Sequence, residues 1–175
     1  MSRHTRLVVA SLALSAAGFV GIVKDEWFTD RAIIPTKNDR PTVGFGSTFW
    51  EDGTAVKMGE KITPVRAVRL ASLHISKEEA AFRLSLPHVA LHQGEYDTYI
   101  DWVYQYGTGA WVTSSMRREL LAGNYVGACH ALLKYRFSGG HDCSIPGNKV
   151  CAGVWTRQQE RHKRCMAEQD ETEAG

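Results

Sequence analysis

No cysteine precedes Cys129, and the four present (Cys129, Cys143, Cys151, Cys165) crowd the C-terminal third. A thiol in the N-terminal segment therefore cannot control activity. No two cysteines stand at CxxC spacing, which argues against a zinc site even with His130 and His141 nearby. Charge imbalance is equally small, a formal +2 with no basic stripe interleaved with aromatics, so nucleic acid is not an expected partner. The one basic cluster, Arg157, Arg161, Lys163 and Arg164, reads as a solvated helix face, with contact to an anionic polymer as the sharper alternative. Ser47, Ser114 and Ser115 lack a His-Asp framework. His74, His88 and His92 show no ligand spacing with acidic partners and read as surface residues. No internal repeat is visible, and nothing calls for a cofactor or a metal.

Charge is also missing from residues 7–23, seventeen consecutive positions after Arg3, His4 and Arg6. Basic residues before an apolar run predict that the N-terminus stays cytoplasmic and the rest crosses. A stable spanning helix needs about 20 strongly apolar residues. This run is shorter and rich in Ala, Ser and Gly, so insertion should be marginal. A cleaved signal is the rival, because Ala13-Leu-Ser-Ala-Ala-Gly18 offers small residues to a peptidase. A buried core helix is the third reading. The run continues past that site to Val23, which favours an uncleaved signal anchor over residues 1–24.

Behind it, residues 25–168 are enough for one domain with a real core, followed by an acidic tail at 169–175. An exported chain with an even cysteine count points to disulfides. Three connectivities are open. A Cys143–Cys151 bridge would close a turn-rich loop, and Cys129 with Cys165 would then tie two helices.

Residues 41–50 read as a short strand after a turn at 37–39. Thr63-Pro64 reads as an N-cap with proline at N1, opening a helix that Pro87 ends. Tyr96, Tyr99, Ile100, Val103 and Tyr104 recur at helical spacing, with Gly107 as C-cap. Ser114 or Ser115 opens another helix, faltering at Gly123-Asn124, and a further one covers 125–135. A break follows at 138–140. Thr156-Arg-Gln-Gln159 has capping-box spacing and starts the last helix, with fraying from Glu168. A small β element ahead of many helices predicts an α+β fold. Trp50, Trp102 and Trp111 are read as core, with sugar stacking as the alternative.

The first acidic pair, Asp25-Glu26, follows the apolar run almost at once. Cleaving a glycosidic bond needs a carboxyl group that can protonate the leaving oxygen. Apolar neighbours favour the protonated form, and Val23, Trp27 and Phe28 flank Glu26. The competing reading is that Glu26 only marks the end of the leader.

A wider pattern decides between them. Glu26-Trp-Phe-Thr-Asp30, then Pro41-Thr-Val-Gly-Phe-Gly-Ser-Thr48, resembles the phage-type lysozymes. Downstream, Tyr104-Gln-Tyr-Gly-Thr-Gly109, Ser114-Ser115 with Glu119-Leu-Leu-Ala-Gly-Asn124, Gly139-Gly140, and Gly153-Val-Trp-Thr-Arg-Gln-Gln-Glu-Arg161 continue the resemblance in the same order. It covers nearly the whole chain from Glu26.

The resemblance implies a lysozyme-like fold, a small β-hairpin lobe followed by a mainly helical lobe. It implies an endolysin of the signal-anchor type, a muramidase acting on peptidoglycan as a monomer, held by the inner membrane until release to the periplasm. Glu26 would be the general acid and Thr42 would hold the attacking water. Gly44 and Gly46 would bring backbone close to the cleft floor. The family commonly has Asp six residues before the hairpin Thr, where this chain has Thr36. Asp39, three residues before Thr42, is either the second carboxylate or an ordinary turn residue, and turn chemistry favours the latter. A lytic transglycosylase and a silent wall-binding protein are the alternatives.

Overall fold

A computed structural model describes residues 5–35 and 39–173, which leaves Thr36 outside the described residues. The N-terminal run is not one helix. It breaks into strand β1 (Leu7–Val8), a 3-10 turn over Val9–Ser11 and helix α1 (Ala16–Asp25). The cause is local: Ser15 is an N-cap whose hydroxyl accepts the Gly18 amide at 3.0 Å, so a helix starts there rather than at Leu7. β1 pairs antiparallel with β4 (Ala90–Leu91). Val9, Leu12 and Ile22 are buried in the larger core. Among the described residues no helix is long and apolar enough to cross a membrane. Burying three such side chains is worth roughly 5–8 kcal/mol gross, an upper figure.

β2 (Thr29–Ile33) and β3 (Thr42–Gly44) form an antiparallel pair, the hairpin of the small lobe. Its core is Ala32, Val43, Trp50, Val56 and Ile62. Helix α2 (Pro64–Leu84) closes it with Ala67 and Leu70, then sends Ile75 and Phe82 into the other core, so one helix bridges both lobes. Thr63 caps α2 as expected, accepting the Arg66 amide at 3.3 Å.

The second lobe contains α3 (Gln93–Val112), α4 (Ser115–Leu121), α5 (Tyr125–Ala131), the hairpin β5 (Phe137–Ser138) with β6 (His141–Asp142), and α6 (Ala152–Glu173). Trp102 and Trp111 are fully buried, as core residues should be. Gly107 bends the chain (φ 81, ψ 158) but α3 resumes after it, because the Thr108 amide is capped by Glu78 at 3.0 Å. α6 begins four residues before Thr156. The Thr156 hydroxyl bonds back to the Ala152 carbonyl at 3.2 Å instead of capping. His92 is a buried N-cap position on α3, not a surface residue; its amide donates to Glu95 at 2.8 Å. Two disulfides form, Cys129–Cys165 between α5 and α6, and Cys143–Cys151 around the turn.

Candidate active site

Glu26 sits where α1 ends. Its amide still bonds the Ile22 carbonyl at 3.1 Å, while its own backbone turns extended (φ −95, ψ 118) toward β2. The side chain lines a cleft of about 510 Å³ between the lobes, with Phe45, Gly46, Thr48, Phe49, Trp50, Gly53, Tyr104 and Gln105 among its other walls.

The loop facing Glu26 is built from glycine. Val43 and Ser47 exchange both backbone hydrogen bonds at 3.0 Å, forcing a turn between them. Gly44 and Gly46 take φ 65 and φ 79 within it. A Cβ on Gly44 would meet that of Ala67 at 3.0 Å, and one on Gly46 would lie 3.5 Å from Glu26 Oε2. The Tyr104 hydroxyl donates to the Phe45 carbonyl at 2.7 Å and pins this loop to α3. Burial, then the Glu26 charge, pushes the Tyr104 phenol up, outweighing Arg157, so it keeps its proton.

The apolar setting expected for Glu26 is not what holds it. Trp27 is 91 % exposed, and Phe28 packs on the Phe45 ring. Arg157 of α6 donates instead, Nη1 to Glu26 Oε1 at 2.9 Å and Nη2 to Asp101 Oδ1 at 3.1 Å, with Asp25 at 3.5 Å from Nε. Asp101 also accepts from Arg161 at 2.8 and 2.9 Å and from Arg164 at 2.6 Å. Arg161 is 0 % exposed and Arg157 half-buried, so the basic cluster of α6 is split: these two turn inward to Asp101, while Lys163 and Arg164 are exposed. Burial alone would raise the Asp101 carboxyl. Arg161, through hydrogen bonds and charge, then Arg157 and Arg164, outweigh it and hold the group well below the usual carboxylate range. Residues 157, 161 and 164 recur at helical spacing, the signal that could have found this network.

Thr42 stands at the start of β3, opposite Ile33, and Asp39 is exposed on the approach to it. Neither is among the described residues lining the cleft. Glu26, Gly46 and the core residue Trp50 all line it. Sequence reasoning missed Tyr104, Gln105 and a wall from α2: His74, Lys77 and Glu78.

Residues 26–161 match the profile of the phage lysozyme family. The endolysin of Salmonella phage P22 is 32% identical over 99 residues, 57% of this chain and 67% of that protein. The solved endolysin from Escherichia coli O157:H7 phage FAHEc1 superposes with TM-score 0.74 at 25% identity, covering 89% of this chain and 94% of that one. The muramidase domain of SpmX from Asticaccaulis excentricus shares the fold, with TM-score 0.72 at 18% identity over 88% of this chain and 97% of that one. A carboxylate in a cleft between a β lobe and a helical lobe, on a chain matched from that carboxylate onward, has one family assignment: this protein belongs to the phage lysozyme family and is a lysozyme-type glycoside hydrolase.

Proposed function

We propose that this chain is an endolysin that hydrolyses the β-1,4 bond between N-acetylmuramic acid and N-acetylglucosamine. The observation that carries the reading is Glu26 in the interlobe cleft, anchored by Arg157 and faced by the Gly46 backbone. Glu26 gives its proton to the leaving oxygen as the C1–O4 bond breaks. Water adds at C1 from the other face of the ring and releases a proton. Thr42 on β3 is assigned to that water, with Asp39 and Thr36 as lesser contributors. Mass analysis of the fragments released from purified peptidoglycan tests the chemistry. Reducing muropeptides are the expected products. 1,6-Anhydro ends would make the protein a transglycosylase, and an absence of fragments would leave a wall-binding protein.

We further propose that residues 7–23 cross the inner membrane before release, N-terminus inside, and dock afterwards in the arrangement described above. Seventeen residues as one helix span about 26 Å, short of a ~30 Å hydrocarbon core, so the anchored state is weakly held. Docking offers the burial of Val9, Leu12 and Ile22 in exchange. Lys24 and the exposed Trp27 follow the run, the residue types that settle at a membrane interface.

Two glycines separate anchoring from docking. A Cβ on Gly18 would lie 2.7 Å from Leu14 Cδ1 and 2.8 Å from Asp97 Cγ, whereas one on Gly21 meets only the tip of Arg164 at 3.8 Å. Gly21→Leu should therefore retain more protein in the membrane fraction while membrane-free protein stays active. Gly18→Leu should also inactivate the membrane-free protein, since overpacking of this kind costs about 1–3 kcal/mol. Equal behaviour of the two variants in both assays would rule the docking argument out.

A further inference from the structure

The cleft has two unlike walls. One, from residues 45–53, is aromatic, with Phe45 and Phe49 suited to sugar faces. The other is α2, where His74, Lys77 and Glu78, at helical spacing, share one face. Glu78 is engaged by the Thr108 amide. His74 is half-buried, and burial, then the charge of Lys77, pulls its pKa down, so it adds no charge at neutral pH. Lys77 is exposed and forms no ion pair among the described residues. A cation that forms no ion pair among the described residues, in one cleft with an aromatic wall, suits a ligand that is a sugar on one side and an anion on the other.

We propose that the α2 wall, with Lys77 as its cation, is the subsite for a carboxylate carried by the lactyl arm of muramic acid. This rests on the muramidase reading and makes Lys77 a specificity-determining residue within it. The carboxylate has two possible sources, the bare lactyl group or the peptide stem attached to it. Lys77 and Glu26 line the same cleft, so a muramic ring bound beside Glu26 shares that cleft with the α2 wall.

The test is calorimetric binding in a full-length Glu26→Gln background, where turnover plays no part. The probes are chitotetraose with no carboxylate, a stem-free GlcNAc–MurNAc tetrasaccharide, and the same tetrasaccharide carrying tripeptide stems. Lys77→Met should lower the affinity ratio of carboxylate-bearing to neutral probe by about three- to tenfold, an effect that fades with added salt. Lys77→Arg should restore most of it. A drop confined to the stem-bearing probe assigns the stem carboxylates, one confined to the stem-free probe assigns the lactyl carboxylate, which the stem's amide bond neutralises, and a drop on both shows that Lys77 takes either. An unchanged ratio overturns the proposal. So does an equal change in Lys163→Met, which alters an exposed cation on α6 that is not among the described cleft residues. Hydrolysis by the wild-type chain is measured separately and bears on the muramidase reading alone.

Discussion

Replacing Glu26 by Gln should lower turnover of purified peptidoglycan by about 10³-fold while leaving the thermal midpoint within a few degrees of wild type. General acid catalysis is worth roughly 10²–10⁴-fold. The amide keeps the shape of the carboxylate and can still accept from Arg157 Nη1, but has no proton for the leaving oxygen. The stability half follows from the network around it. Arg157 faces three carboxylates, Asp25, Glu26 and Asp101, so neutralising one leaves two. Turnover by the variant within tenfold of wild type would remove Glu26 from the role. A collapse of the midpoint would instead make Glu26 a structural ion-pair partner.

The same network joins the acid to the N-terminal segment. Glu26 is the C-cap of α1, and α1 is held by more than its apolar face. Asp97 accepts from the Ser15 amide at 3.0 Å and from its hydroxyl, and Glu79 accepts the Leu14 amide at 2.7 Å. Arg6 is bound by Glu95 at 3.1 Å and by Gln169 at 2.7 Å. The contacts that hold the segment and those that place Glu26 beside Arg157 therefore belong to one arrangement in this fold. A segment pulled out as a continuous helix would leave Glu79, Glu95 and Asp97 without these partners, and would take Glu26 from its place beside Arg157.

What could be read from the sequence is uneven for physical reasons. α2 was legible because Thr63-Pro64 is a strong local start signal and Pro87 a strong stop. Ser114 or Ser115 marked the start of α4 in the same way, and Ser114 is the cap; Asn124, read only as the place where that helix falters, turns out to cap α5. The glycine loop beside Glu26 was legible because Gly44 and Gly46 occupy backbone conformations other residues resist. In the described fold the N-terminal run is not the single helix its composition suggests, because composition measures apolarity and not the partners available in the fold. Ser15 is small in a hydropathy sum but decisive as a cap. Lys77 and Tyr104 could not be placed in the cleft, since their neighbours there lie far away in the chain. The α6 arginines carried the right periodicity, but the carboxylate that buries them is more than fifty residues upstream.

Asp101 is where that missing information has its largest consequence for stability. It is 3 % exposed at the side chain and faces Arg157, Arg161 and Arg164, with Arg161 wholly buried. Removing the carboxylate leaves guanidinium charge in the interior, and breaking such a pair costs about 3–5 kcal/mol. Asp101→Asn should therefore lower the thermal midpoint by roughly 10 °C for a domain of this size. The pH dependence has a fixed sign. The folded-state pKa of Asp101 is depressed, so its contribution is fully present above the ordinary carboxylate value of about 4 and is lost as pH falls through the lower folded value. Urea melts of wild type and Asp101→Asn should differ by the full amount at pH 7 and converge below about pH 4 as wild type loses what the variant never had. A difference that stays constant from pH 7 to pH 3 would mean that the charge of Asp101 is not what holds α6 against α3. The position of Arg157, and with it that of Glu26, would then need another cause.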